Sequence, residues 1–180
     1  MEQNSINTSR FIDANGVKIP LLYEDNHLLV VVKPSNMPVC EDESRDYDLL
    51  TCLKAYIKER YSKPGEVYLG LVHRLDRPVG GVMVFARTSK AASRLSEQVR
   101  RNMLTKRYMA VVCGGDEVRR EKLRGYIARD PATHGSYICA EGTPDAKYAE
   151  LTFAKAGTTR NKHSLVDVTL KTFPCSILIF

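Results

Sequence analysis

Residues 71 to 85, LVHRLDRPVGGVMVF, wedge the tetrad His73-Arg74-Leu75-Asp76 between two runs of strand-forming residues. The flanking apolar runs predict two strands, and Pro78 with Gly80 and Gly81 predicts the turn that joins them. That turn carries a carboxylate, which is costly beside buried strands unless it is solvated or paired. The residues by themselves leave two readings of Asp76 open. It is either half of an ion pair with Arg74 or Arg77 that shapes the turn, or an acid set in a cleft to do chemistry.

The surrounding chain has the same short rhythm. Residues 21–39, LLYEDNHLLVVVKPSNMPV, read as a strand, an Asp-Asn-His turn and a Val-rich strand stopped at Lys33-Pro34. Leu49, Leu50, Leu53, Tyr56 and Ile57 recur at amphipathic-helix spacing, and that helix ends before Pro64-Gly65. A second helix is predicted over residues 88–102, with Thr88 or Ser89 as N-cap and Ala91, Leu95 and Val99 on one face. From Lys106 onward come short strands, with turns at Gly114-Gly115, around Asp130-Pro131 and from Gly142 to Pro144. Residues 146–157 and 163–172 read as a hairpin, and residues 119–124, RREKLR, as an exposed loop or edge strand. Two helices among locally paired strands predict an α+β domain with a mixed, mostly antiparallel sheet and flanking helices. Residues 1–20 are expected as a polar tail with at most an edge hairpin at Asn15-Gly16, and residues 21–172 as the domain itself.

With 180 residues, 43% of them hydrophobic, the chain can bury one ordinary core. A net charge of +6 favours an acidic partner such as nucleic acid. The charge is concentrated: Arg87, Lys90, Arg94, Arg100, Arg101, Lys106 and Arg107 stand against the single acid Glu97. Lys90, Arg94 and Arg101 fall along one side of the predicted helix, where they would track phosphates if they are not simply a solvated face. Five cysteines without a CxxC pair suggest reduced thiols in a cytoplasmic protein. No stretch approaches the roughly 20 apolar residues of a membrane helix. The histidines are scattered and no Cys/His cluster appears, so no metal site is expected.

Residues 73–88, HRLDRPVGGVMVFART, resemble the HRLD motif of the RluA-type pseudouridine synthases. The likeness continues in order. Residues 21–39 are similar to that family's opening strands, KRYMAVVCG from Lys106 resembles its strand bearing a functional tyrosine, and residues 145–155 and 164–172 resemble its paired strands. Tyr108 lies 32 positions after Asp76, the separation the family shows. Over about residues 21–172, the resemblance implies a pseudouridine synthase fold and the isomerisation of uridine in ribosomal or transfer RNA, without a cofactor. It implies that Asp76 is the catalytic carboxylate, as nucleophile or as base. It also implies that Arg74 helps to flip the uridine out of its stack and that Tyr108 stacks on the flipped ring or assists proton transfer at C5. Lys90, Arg94, Arg101, Lys106 and Arg107 would then hold RNA, and His73 would orient the loop rather than move protons.

Two departures accompany the likeness. Val79-Gly80 stand where the family commonly has Thr-Ser. After residues 165–172 the family continues with a Gly-Arg-Thr-His-Gln-Ile-Arg type motif, whose last arginine pairs with the catalytic Asp. This chain instead reads FPCSILIF over residues 173–180, a divergent and uncharged end. The expectation is a truncated synthase lacking its C-terminal part, weakly active or inactive, set against a complete short variant whose own last strand closes the sheet. The rival function is a non-catalytic basic RNA-binding protein. A glycosidase-like hydrolase would need a second carboxylate, and neither Glu97 nor Asp116 is singled out by spacing.

Overall fold

The computed structural model describes residues 10–113, 120–131, 133, 135–161 and 163–172. The divergent end at 173–180, the Gly114-Gly115 turn and Asp116 lie outside the described residues. The chain divides into two compact units, one ending at Arg101 and the other beginning at Asn102, a boundary that the sequence reading did not draw.

The first unit runs β1 (Phe11–Ala14), β2 (Val17–Glu24), β3 (Leu28–Lys33), α1 (Leu49–Arg60), β4 (Gly70–Leu71), β5 (Gly81–Ala86) and α2 (Ser89–Arg100). Its sheet has the order β1-β2-β3-β5-β4, and all its pairings are antiparallel. Asn15 and Gly16 both take positive φ, 52° and 81°, as a two-residue hairpin turn requires. The hairpin expected there forms, and it contributes Ile12, Ala14 and Ile19 to the core. Asp48 caps α1 by accepting from the Thr51 N–H at 2.9 Å, and the helix buries Leu49, Cys52, Leu53 and Ile57 against Leu29, Val31, Met83 and Phe85. Thr88 caps α2, accepting from the Ala91 N–H at 3.2 Å. No residue of α2 is fully buried, and Ala91, Leu95 and Val99 are half-buried. A buried carboxylate also ties this unit together: Glu24 lies within 3.3 Å of Arg10, 3.4 Å of Arg60 and 3.6 Å of Arg87, and accepts from the Tyr56 and Tyr61 hydroxyls.

The second unit is a sheet of β6 (Lys106–Val112), β7 (Glu121–Arg129), β8 (Ser136–Cys139), β9 (Lys147–Thr158) and β10 (Ser164–Thr172), in the order β6-β10-β9-β7-β8. The expected β9–β10 hairpin is present, from Ser164 opposite Thr158 to Thr172 opposite Glu150. Residues 121–124 pair with β9 alone, so RREKLR does end in an edge segment. Register puts Tyr108, Val166, Val168, Leu170, Leu151 and Phe153 on one face. On the other face Arg107 pairs with Asp167, and Lys122 and Arg124 pair with Glu150. The architecture is thus α+β with antiparallel strands, as expected, but its strands form two five-stranded sheets rather than one.

Candidate active site

The loop between β4 and β5, residues 72–80, carries the tetrad, and its side chains alternate. His73 and Leu75 turn toward the protein while Arg74 and Asp76 are exposed. Leu75 packs on the edge of the core. The His73 ring is tied to β5, its Nε2 accepting from the Val84 N–H at 3.1 Å, so that nitrogen holds a lone pair and not a proton. The Asp76 carbonyl accepts from the Val79 N–H at 3.0 Å and closes the turn. The carboxylate is thereby presented outward on a loop whose alternate residues are anchored.

Beneath this loop lies Lys33, which the sequence marks only as the end of a strand. Lys33 ends β3 with no accessible surface. Its ammonium donates to the carbonyls of Met37 at 2.6 Å, Pro34 at 3.0 Å and Arg77 at 3.0 Å. Burial pushes the Lys33 pKa down, and the nearby charge of Asp76 pulls it back up. A buried ammonium with no carboxylate in its hydrogen-bond shell is expensive, and three carbonyls offset that expense here. The signal was legible in phase: Leu29, Val31 and Lys33 alternate as the inward residues of β3. A lysine on the core side of a strand needs a reason.

At Gly80, where the family commonly has Ser, the loop lies close against its neighbours. A Cβ on Gly80 would come within 2.8 Å of Ser35 Oγ and 3.3 Å of the Lys33 carbonyl oxygen. A side chain at position 80 would therefore require the Ser35 hydroxyl to turn away and the Lys33-Pro34-Ser35 turn to give by a few tenths of an ångström.

The expected RNA-holding residues divide. Arg74, Lys90 and Arg94 are exposed and make no ion pair among the described residues. Arg101, expected on the same side, pairs instead with Glu97 at 2.5 Å, and Arg100 shares that partner. Arg107 is committed to Asp167, and alternation puts it on the face opposite Lys106 and Tyr108. Lys106 is half-buried and lines a cavity of about 140 Å³ with Asn102, Leu104, Thr105, Thr169, Leu170 and Lys171. Tyr108 is half-buried on β6, opposite Val168. Asp76 and Tyr108 belong to different units. Among the described residues no group of three or more His, Cys, Asp or Glu could hold a metal ion, and no helix is long and apolar enough to cross a membrane.

A family model described as RNA pseudouridylate synthase matches residues 27–172. Among curated proteins, Ribosomal large subunit pseudouridine synthase C of Buchnera aphidicola subsp. Baizongia pistaciae is 38% identical over 94 residues, which is 52% of this chain and 28% of that protein. Its namesake from Escherichia coli (strain K12) is 37% identical over 94 residues with the same shares. The aligned part thus spans less than a third of these relatives' length. Two solved human structures share the fold at 22% identity. RNA Pseudouridylate Synthase Domain Containing 4 has a TM-score of 0.69, covering 86% of this chain and 59% of its own. RNA Pseudouridylate Synthase Domain Containing 1 has a TM-score of 0.65, covering 87% and 60%.

Proposed function

The chain belongs to the RNA pseudouridylate synthase family, and on that premise we propose that it isomerises uridine to pseudouridine in RNA, with Asp76 as the catalytic carboxylate. The observation that carries the reading is the outward presentation of Asp76 on a loop whose neighbours on both sides are anchored, by His73 to β5 and by the Arg77 carbonyl to Lys33. In the reaction the bond from N1 to C1′ breaks, the uracil turns, C5 bonds to C1′, the hydrogen on C5 leaves as a proton, and N1 takes up a proton, so that the product is an isomer of the substrate. No redox change occurs. A single carboxylate acting on the sugar, as nucleophile or as base, suffices for such a step.

A base in a stacked helix is out of reach of a loop like this one, so the uridine has to swing out, and Arg74, exposed and without an ion pair among the described residues, is two residues from Asp76 to fill or hold the gap. Lys90 and Arg94 take the flanking phosphates, and binding should weaken as salt rises. Tyr108 stacks on the flipped ring or assists proton transfer at C5. The printed names of the curated relatives favour ribosomal RNA as substrate. The test is tritium release from ribosomal RNA carrying C5-tritiated uridine, using the full chain. Release is expected with the wild type and should fall to background in Asp76→Asn. Release undiminished in Asp76→Asn overturns the assignment, and salt-sensitive RNA binding without release from the wild type supports the non-catalytic RNA-binding reading instead.

A further inference from the structure

Arg77 follows Asp76 directly and has the form of a phosphate-binding residue, but its surroundings differ from those of Arg74, Lys90 and Arg94. Its guanidinium is already occupied along its whole edge. Nε donates to Asn36 Oδ1 at 3.4 Å, Nη1 donates to Ser44 Oγ at 2.9 Å and lies 3.6 Å from Asp42, and Nη2 meets the Asp46 carboxylate. The residues that grip it form one wound loop. Ser44 donates to Asp42 Oδ1 from its backbone at 3.0 Å and from its hydroxyl at 2.5 Å, Arg45 N–H donates to the Asp42 carbonyl at 3.2 Å, and Asp46 N–H donates to Ser44 Oγ at 3.2 Å. The acids therefore reach Arg77 as a preformed unit.

We propose that Arg77 is a positioning residue: the 42–46 loop holds its guanidinium from outside, Lys33 holds its carbonyl from beneath, and the two together fix the peptide that follows Asp76 and aim the carboxylate. This rests on the reading of Asp76 as the catalytic group. The chemistry of the grip agrees with it. The hydrogen bond from Arg77 holds the Asp46 carboxyl below the usual carboxylate range, and the bonds from Ser44 do the same for Asp42. Separate surface ion pairs contribute little, but here several acceptors converge on one planar fork. A carboxylate displaced by about 1 Å can lose on the order of a hundredfold in rate, so a clamp on its neighbour is a device with kinetic consequence.

The alternative for an arginine beside a nucleic-acid cleft is a phosphate contact, and the two roles predict opposite signs when the loop is neutralised. Asp42→Asn combined with Asp46→Asn removes both charges of the grip, weakens it, and leaves Arg77 in place. If Arg77 served the RNA, removing two negative charges beside it would strengthen binding, lowering KM without lowering kcat. The clamp instead predicts that kcat falls about tenfold with KM little changed. Glu43→Gln is the control, because Glu43 is an exposed acid of the same loop that makes no contact with Arg77 among the described residues. Its kcat should equal that of the wild type. Arg77→Lys should behave like the double variant, since one ammonium cannot span Asn36, Ser44 and Asp46.

A second readout is independent of catalysis. Hydrogen exchange across residues 72–80, followed by mass spectrometry on the full chain, should quicken about tenfold in the double variant, because the turn closed by Val79 and Asp76 loses its outer support. Unchanged exchange overturns the clamp whatever the kinetics show. Should the wild type form no pseudouridine while exchange in the double variant quickens, the proposed function falls and the clamp stands as a feature of the loop. Faster exchange with unchanged kcat overturns the positioning role.

Discussion

In the unit ending at Arg101, Leu29, Val31, Leu53, Met83 and Phe85 have no accessible surface, and two helices stand beside the sheet. In the unit beginning at Asn102, the buried apolar side chains among the described residues are Ala128, Ala149 and Val166, while Ile138 remains 85% exposed and Leu123 50%. The cause lies in what accompanies each sheet. Helix α1 inserts Leu53 and Ile57 into the first core, whereas the described residues of the second unit include no helix at all. A sheet face without a covering layer cannot remove its side chains from water. The Asp76 loop, with the buried Lys33 ammonium beneath it, belongs to the densely packed unit. Tyr108 sits on a strand held mainly by its ladder with β10.

The contrast is sharpened most by deleting one ring from each unit. Phe85→Ala should destabilise the first unit by about 3–5 kcal/mol, the loss found for a fully buried phenylalanine. Phe153→Ala, at a half-buried position of β9, should cost about 1–2 kcal/mol. Urea midpoints with a common slope measure both. Equal losses would mean that the apolar face of β9 is as well covered as that of β5, and the comparison would break.

Both helices were readable, and so was the cap at Thr88, because capping and 3.6-residue periodicity are local signals; the cap at Asp48 carries the same kind of signal and was not drawn. The β9–β10 hairpin and the Asn15-Gly16 turn were readable for the same reason. The division at Arg101 was not, since nothing in the composition around Arg100 to Asn102 marks a change of sheet. At the candidate site, the exposed placement of Arg74, Lys90 and Arg94 matches what their charge suggested. Arg101 and Arg107 are exposed as well, but their ion pairs with Glu97 and Asp167 were not legible, because these are set by helix phase and cross-strand register, the second over a separation of 60 residues. The grip on Arg77 was hidden likewise: Asp42 and Asp46 look like solvated acids until the fold brings position 77 beside them.

A smaller effect is expected from Lys33→Met, which keeps the length of the side chain and strands three carbonyls. Each unsatisfied buried acceptor costs about 1–3 kcal/mol before water or relaxation relieves it, and the shared relief should leave a net loss of about 2 kcal/mol. The dependence on pH has a defined sign. Burial sets the folded Lys33 below the usual lysine value of 10.5, so between the two values the unfolded chain binds more protons than the folded one. Stability owed to this side chain therefore rises with pH across that window, up to about 10.5, and the advantage of the wild type over Lys33→Met should widen there. Urea midpoints of the pair between about pH 8 and 10.5 test it. A gap that narrows would show that the ammonium is not held dry beneath the loop, and the dense unit would lose its most demanding buried group.

The smallest effect is expected at the opposite extreme of burial. Ile138 lies on β8, the edge strand of the second sheet, beside Ile127 in register and almost wholly in water. Ile138→Lys should change stability by no more than about 0.5 kcal/mol, because little apolar area returns to solvent and the aliphatic stem of lysine can lie along the same face. Solubility should improve, since a charge on an exposed edge opposes strand-to-strand association. A loss above about 1 kcal/mol in the full chain would have a single physical reading. Some layer would have to cover the apolar face at β8, and the second unit would be as closed as the first.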